Sequence, residues 1–217
     1  TIIVTLVGTL SSMVATTLAS YALAQKTLPY RTAITLFFVL TIYFSGGMIP
    51  TYLTVRAVGL LDKIAAMILP GLVGTGILLL LRNFFMRLPR ELIDAARIDG
   101  CSEMKSIPLI VVPLSLPAIA TFTLFYGVRY WNTFMPGVLY ISSPEKLPLQ
   151  VFLRMIIWDA TARAQQELEK ILQEGQMPPT EAFKAAAIMA TTIPIIFAYP
   201  FLQRYFVKGI TMGSLKG

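Results

Sequence analysis

The sequence predicts an all-α polytopic membrane protein, one domain over residues 1–217 with five membrane-crossing helices. Three observations carry that prediction. Hydrophobic residues make up 56% of the 217 positions, and the mean hydropathy is +0.71, far above a soluble composition. Only 13% of residues are charged, and they cluster between long uncharged intervals. No interval shows the period-two alternation of a barrel strand, and a helix is the other backbone that satisfies its own polar groups in hydrocarbon.

The intervals define the crossings: Thr1 to Gln25, Thr32 to Val55, Ile64 to Leu81, Ser106 to Val128 and Ala185 to Gln203. Each reaches or approaches the ~18–20 residues that span ~30 Å of hydrocarbon. Alternate crossings place Lys26–Arg31, the Arg82–Lys105 segment and the tail after Arg204 on one side, with ten of the 18 Lys and Arg in short segments. The positive-inside rule makes that side cytoplasmic. The net charge of +7 is thus an orientation signal. Its bearers form no basic stripe, so no nucleic-acid partner is expected.

Within the first interval Gly8, Ser12, Ala15, Ala19 and Ala22 fall near small-xxx-small spacing, which lets membrane helices approach closely. Gly71, Gly74 and Gly76 read the same way. GLVGTG lacks the preceding strand and the lysine of a phosphate-binding loop. Pro50, Pro70, Pro113, Pro117, Pro194 and Pro200 lie within or at the ends of crossings, where each removes a helix hydrogen bond and permits a kink.

The third and fourth crossings are joined by the segment on which the chain turns, Arg90–Pro117, with five charged residues in its first ten positions. Pro89 and the acids Glu91 and Asp94 suit a helix start. Leu88, Leu92 and Ala95/Ala96 give it an apolar face, leaving Arg90, Arg97 and Asp99 wet. Gly100 suits the left-handed position that ends a helix. Ser102 suits the cap of a second short helix, constrained by Pro108. The expected product is a bent two-helix knuckle at the membrane surface.

Asp94-Ala95-Ala96, Asp99-Gly100, then Ile110 and Val112-Pro113 resemble the EAA loop of permease subunits in bacterial ABC importers, closest to the carbohydrate branch typified by the maltose permease MalG. Trp131-Asn132-Thr133-Phe134, Pro136, Leu147-Pro148-Leu149, and Gln203 to Lys208-Gly209 with the Gly213-Ser214-Leu215-Lys216-Gly217 ending extend the resemblance over nearly the whole chain. The first acid of the motif is Asp94 where Glu is usual.

The resemblance implies a type I ABC importer permease core in the bacterial cytoplasmic (inner) membrane. It implies a coupling loop over about 87–108, an outer loop over about 131–183 and a cytoplasmic tail over about 204–217. Asp94, Ala95, Ala96, Asp99, Gly100, Ile110 and Pro113 would couple to a cytoplasmic ATPase dimer. That ATPase would bind ATP and Mg, and this chain no cofactor or metal. A second permease subunit, an extracytoplasmic solute-binding protein, the bilayer and a carbohydrate complete the expected partners. Longer members carry one more crossing upstream.

Arg129, Tyr130, Trp131 and Asn132, at the outer end of the fourth crossing, combine aromatic faces with hydrogen-bonding groups. They suit a sugar pathway that stacks rings and binds hydroxyl or acidic groups, and equally suit interfacial anchoring with a snorkelling arginine. The following WNTFMPGVLYISSP reads as an interfacial or re-entrant segment. ATARAQQELEKILQEGQ reads as a solvated helix ended by Gly175 and Pro178-Pro179, either a contact for the binding protein or a plain insertion.

No catalytic constellation is visible. The chain has no histidine and a single cysteine, Cys101, which excludes an internal disulfide and the commonest general base. There is no HExxH and no nucleotide-binding lysine motif. The alternatives to an ATP-driven permease are an ion-coupled secondary transporter or channel subunit, which ordinarily carries acids or bases at mid-membrane, and a membrane enzyme.

Overall fold

The computed structural model describes residues 1–158 and scattered helical positions between 185 and 197. The expected crossing Ala185–Gln203, the solvated helix over 161–176 and the tail 204–217 lie wholly or largely outside the described residues. Within them the chain is helical, without strands.

The centre of the fold is α1 (Ile2–Ala24), a 23-residue helix about 35 Å long at ~1.5 Å per residue, enough to cross the hydrocarbon unaided. Its two faces are sorted for lipid. Ile3, Leu6, Val7, Leu10, Val14 and Leu18 point outward and are exposed, whereas Val4, Gly8, Ser12, Thr16 and Ser20 form a buried stripe at four-residue spacing. The small-residue expectation therefore holds at Gly8 and Ser12, but the seam continues through Thr16 and Ser20. Ala22 is exposed. Hydroxyls take those positions because the neighbouring helices bring polar partners to them.

Those partners are specific. Ser12 Oγ lies 2.8 Å from the Tyr130 hydroxyl, and Thr16 Oγ1 lies 2.8 Å from the Tyr126 hydroxyl. Ser20 Oγ donates to the Leu78 carbonyl at 3.0 Å. Gly8 gives the Tyr130 ring its seat, since a Cβ there would fall 2.9 Å from three ring atoms.

Three of the expected crossings are broken. The second comprises α2 (Arg31–Tyr43) and α3 (Met48–Ala57), bent by 116°. The break falls at Ser45-Gly46-Gly47, where Gly47 takes φ +79°, and Pro50 follows within the first turn of α3. The third comprises α4 (Ala65–Ile68), a tight turn at Leu69–Gly71, and α5 (Thr75–Phe85), bent by 55° across Leu72–Gly74, just after Pro70. The fourth is an arm over Glu103–Leu114 followed, at 90°, by α9 (Leu116–Trp131). The arm contains α7 (Glu103–Ser106), a wide turn at Ile107–Val111 and α8 (Val112–Leu114). Prolines 113 and 117 flank its bend at Ser115. If each bent pair is one crossing, up to four lie among the described residues.

The bundle ends sort as alternate crossings require. At one end Arg31 Nε and Arg82 Nε both donate to the Leu23 carbonyl, at 2.9 and 3.0 Å, closing the C-terminus of α1. The knuckle joins that end through Tyr21, whose hydroxyl lies 3.4 Å from Ser106 Oγ. At the other end the turn after α3 meets α10 (Met135–Tyr140), with the Asp62 N–H donating to the Tyr140 carbonyl at 2.7 Å. Helix α11 (Leu149–Trp158) begins there, its Leu149 N–H bonded to Thr1 Oγ1.

Among the described residues, a groove of about 1000 Å3 runs between α1, the arm and α9. Its lining includes Leu6, Leu10, Val14, Ile107, Ile119 and Trp131.

Gly8→Val places branched carbon against the Tyr130 ring and should cost about 1–3 kcal/mol. The measurement is the thermal midpoint of the detergent-solubilised protein, expected to fall by several degrees, with Gly76→Val, where a Cβ meets nothing within 4 Å, falling far less.

Candidate functional site

The knuckle is built as the sequence directs. Helix α6 (Arg90–Ile98) starts after Pro89 with Glu91 in its first turn. It ends in a Schellman closure: the Cys101 N–H donates to the Ala96 carbonyl at 2.8 Å and the Gly100 N–H to the Arg97 carbonyl at 3.0 Å. Gly100 takes φ +81°, the left-handed conformation that closure needs. Ser102 then opens α7 by backbone alone. Its carbonyl accepts from Lys105 and Ser106 N–H groups, while its side chain makes no capping bond.

One side chain spans the turn. Arg97 Nη2 meets Glu103 Oε1 at 2.8 Å, and Arg97 Nη1 meets Asp94 Oδ1 at 3.5 Å. All three side chains are substantially exposed, so the pairs add less than about 1 kcal/mol each. They set direction more than stability. In the sequence the only sign of the Arg97–Glu103 pair is a six-residue separation across a glycine stop.

The faces of α6 divide differently from the expectation at two residues, Leu92 and Ala95, both of which are exposed. Leu88 and Ile93 pack against the core, over a small cleft of about 70 Å3 shared with Tyr21, Ala24 and Phe85. Leu92, expected on that apolar face, is exposed, and Ile98 is 87% exposed. A helix of nine residues turns only a narrow stripe inward, and Ile93 occupies it. Asp94, Ala95, Asp99 and Gly100 are exposed and Ala96 is half-buried; Asp94 and Arg97 edge the small cleft beneath α6. Ile110 and Pro113 lie farther along the arm, in the wide turn and just after it.

The four residues at the far end of α9 do not converge. Tyr130 is 2% exposed and directed into the bundle. Arg129 is exposed; its Nη1 donates to the Gly71 carbonyl at 2.9 Å, and its guanidinium carbon stands 5.6 Å from the Tyr130 ring centre. Trp131 lines the groove beside α1. Asn132 donates to the Val128 carbonyl at 2.9 Å and accepts from Gln150 Nε2 at 3.3 Å.

Comparison with known proteins decides the family. Residues 10–212 match the family described as "Binding-protein-dependent transport system inner membrane component". This chain belongs to that family. It is 43% identical, over its whole length and 75% of the relative's, to the polygalacturonan/rhamnogalacturonan transport system permease protein YtcP of Bacillus subtilis (strain 168). It is also 43% identical to protein LplC of the same organism, covering 72% of it. Among solved structures, a crystal structure of a bacterial ABC transporter involved in the import of the acidic polysaccharide alginate superposes with a TM-score of 0.83 at 29% identity. That match covers 94% of this chain and 72% of the other.

In this inner-membrane transport component the end opposite the knuckle carries its own fixed point. Asp62, itself in the left-handed region at φ +59°, accepts from the Ser142 and Ser143 N–H groups at 3.1 and 2.9 Å and from Ser143 Oγ at 2.6 Å. Lys146 Nζ donates to its carboxylate at 2.7 Å and to its carbonyl at 2.9 Å. The ammonium and the donated hydrogen bonds hold the Asp62 carboxyl far below the usual carboxylate range. The sequence showed no motif for this clip, because its halves are about 80 residues apart.

A carboxyl with a lowered constant stabilises the fold fully above its ordinary value of 3.8, and that contribution is lost as pH falls towards the constant it has when folded. The difference in thermal midpoint between wild type and Asp62→Asn should therefore be constant from pH 8 to 5 and shrink only below about pH 4. A difference that vanished between pH 7 and 5 would assign the clip to another group.

Proposed function

We propose that this chain is a permease subunit of an ATP-driven importer of oligosaccharides, forming half of the translocation pathway and receiving a separate cytoplasmic ATPase dimer on its knuckle. One observation carries the reading most strongly. Gly100 is exposed at φ +81°, and a Cβ built there meets nothing within 4 Å in this chain. The free space at Gly100 adjoins the exposed Ile98 and Asp99. A partner surface that approaches the backbone closely, buries Ile98 and offers Arg or Lys to Asp99 fits this face.

The substrate class is drawn from the company the chain keeps. Its relatives are named for polygalacturonan/rhamnogalacturonan and arabinooligosaccharides, and the structural neighbour is described as importing alginate. An oligosaccharide is the common denominator. Arg129, Trp131 and Asn132 stand at the outer end of α9 without converging, so they do not form one sugar site; the bonds of Arg129 to Gly71 and of Asn132 to Val128, and the place of Trp131 in the groove, suit anchoring of the helix end. A second permease subunit and an extracytoplasmic solute-binding protein complete the assembly; ATP and Mg belong to the ATPase.

An ion-coupled transporter or channel fits less well. Among the described residues the acids are Asp62, Glu91, Asp94, Asp99, Glu103 and Glu145, all in turns, in the knuckle or at its junction with the arm. None is placed in mid-crossing, where a proton or cation relay needs it.

Gly100→Asn tests the coupling role, because asparagine tolerates the left-handed conformation yet projects from the docking face. The variant should assemble, while substrate-stimulated ATP hydrolysis by the reconstituted complex falls about tenfold, equivalent to about 1.4 kcal/mol. Wild-type hydrolysis and transport in that variant would remove the knuckle from the mechanism. Orientation is tested at Cys101, which a membrane-impermeant thiol reagent should modify in inverted vesicles and not in intact cells stripped of their wall.

A further inference from the structure

The break in the third crossing is held by one face of α9. Pro70 has no N–H to give, and the turn at Leu69–Gly74 leaves further backbone groups without helical partners. The Gly74 N–H donates to the Tyr126 hydroxyl at 2.8 Å. Arg129 Nη1 donates to the Gly71 carbonyl at 2.9 Å, and the Tyr130 hydroxyl donates to the Ile68 carbonyl at a longer 3.4 Å. Positions 126, 129 and 130 share a helix face, so one element bonds three backbone groups at and beside the break. The two tyrosine hydroxyls also reach Thr16 and Ser12 of α1, which ties the break to the central helix.

The glycines show that this fit is built in. A Cβ on Gly71 would fall 1.9 Å from Arg129 Nη2, and one on Gly74 would fall 3.2 Å from the Tyr126 hydroxyl. Gly76, two residues on, meets nothing within 4 Å. A side chain at Gly71 would displace the flexible end of Arg129 and one at Gly74 would press on the Tyr126 hydroxyl, whereas Gly76 lies clear of α9.

Irregular backbone at membrane depth persists only while its polar groups are satisfied. The break therefore cannot slide against α9 continuously; it must exchange one set of partners for another, which makes the contact two-state. Helix α9 is also the continuation of the knuckle, through the arm Glu103–Leu114. We propose that Tyr126 and Arg129 are positioning residues that clamp the Leu69–Gly74 break, and that movement of the knuckle releases this clamp to rearrange the third crossing during transport. The inference rests on the coupling role proposed above. It adds where inside the membrane the movement is delivered.

The test uses the full importer with its ATPase, second permease and binding protein, reconstituted in lipid. A reporter cysteine, Val73→Cys, is placed within the break and Cys101→Ser removes the native thiol. The rate of maleimide labelling at position 73 is compared between the resting and the nucleotide-trapped complex, and stimulated ATP hydrolysis is measured on the same samples. Labelling should differ at least tenfold between the two states. Arg129→Gln and Gly71→Ala should each bring the resting rate towards the trapped one, while Arg129→Lys, which keeps a donor for the Gly71 carbonyl, should restore most of the difference. A merely structural role for Arg129 would not make labelling depend on nucleotide.

Stimulated hydrolysis with identical labelling in both states would overturn the clamp and leave the coupling reading standing. So would a state difference untouched by Arg129→Gln and Gly71→Ala. No stimulated hydrolysis in the unmodified complex would overturn the coupling reading, and the clamp with it.

Discussion

Every polar backbone group at membrane depth needs a partner inside the protein, and the fold is arranged around meeting that need at its breaks. Water is absent there, and an unsatisfied amide or carbonyl costs several kcal/mol. Helix α1 answers with a stripe of Ser12, Thr16 and Ser20, and α9 answers with Tyr126 and Tyr130. The tyrosines are bifunctional: each hydroxyl touches α1 on one side and the interrupted crossing on the other. Three helices are thereby fixed by polar contacts in a setting where apolar burial between helices provides little drive.

The knuckle uses a different economy. Its turn is closed by backbone hydrogen bonds at Ala96 and Arg97 and by the one left-handed glycine, all independent of side-chain charge. The exposed Arg97 pairs overlay that closure without being needed for it. A joint of this kind can carry load along its backbone while its charged groups stay available to exchange partners with another surface. Contacts from the half-buried Leu88 and Ile93 and the buried Tyr21 seat its base against the core.

Much of this was legible from residue type and spacing. Charge-free length located up to four crossings among the described residues, Gly100 located the helix stop, and Pro70, Pro113 and Pro117 marked two of the three places where crossings break. What escaped was long-range. Length and hydropathy count residues without regard to direction, so they could not show that Ser45-Gly46-Gly47 turns the second crossing by 116°. Tyr130 looked like its neighbours Arg129, Trp131 and Asn132 because a linear motif does not record which helix face a residue occupies. Asp62 looked like an ordinary turn acid, since its partners Ser143 and Lys146 come from a distant loop. Tyr126 carried no motif at all; only the four-residue step to Tyr130, set against hydroxyls at the same step in α1, hints at it in retrospect.

The groove between α1, the arm and α9 has a consequence of its own. At about 1000 Å3 it could hold roughly thirty waters at liquid density, yet its walls are hydrocarbon almost throughout. Water gains nothing there, so the natural tenant is an acyl chain, a detergent tail or an aliphatic helix. A trough so lined suits an apolar neighbour in the bilayer better than a charged one.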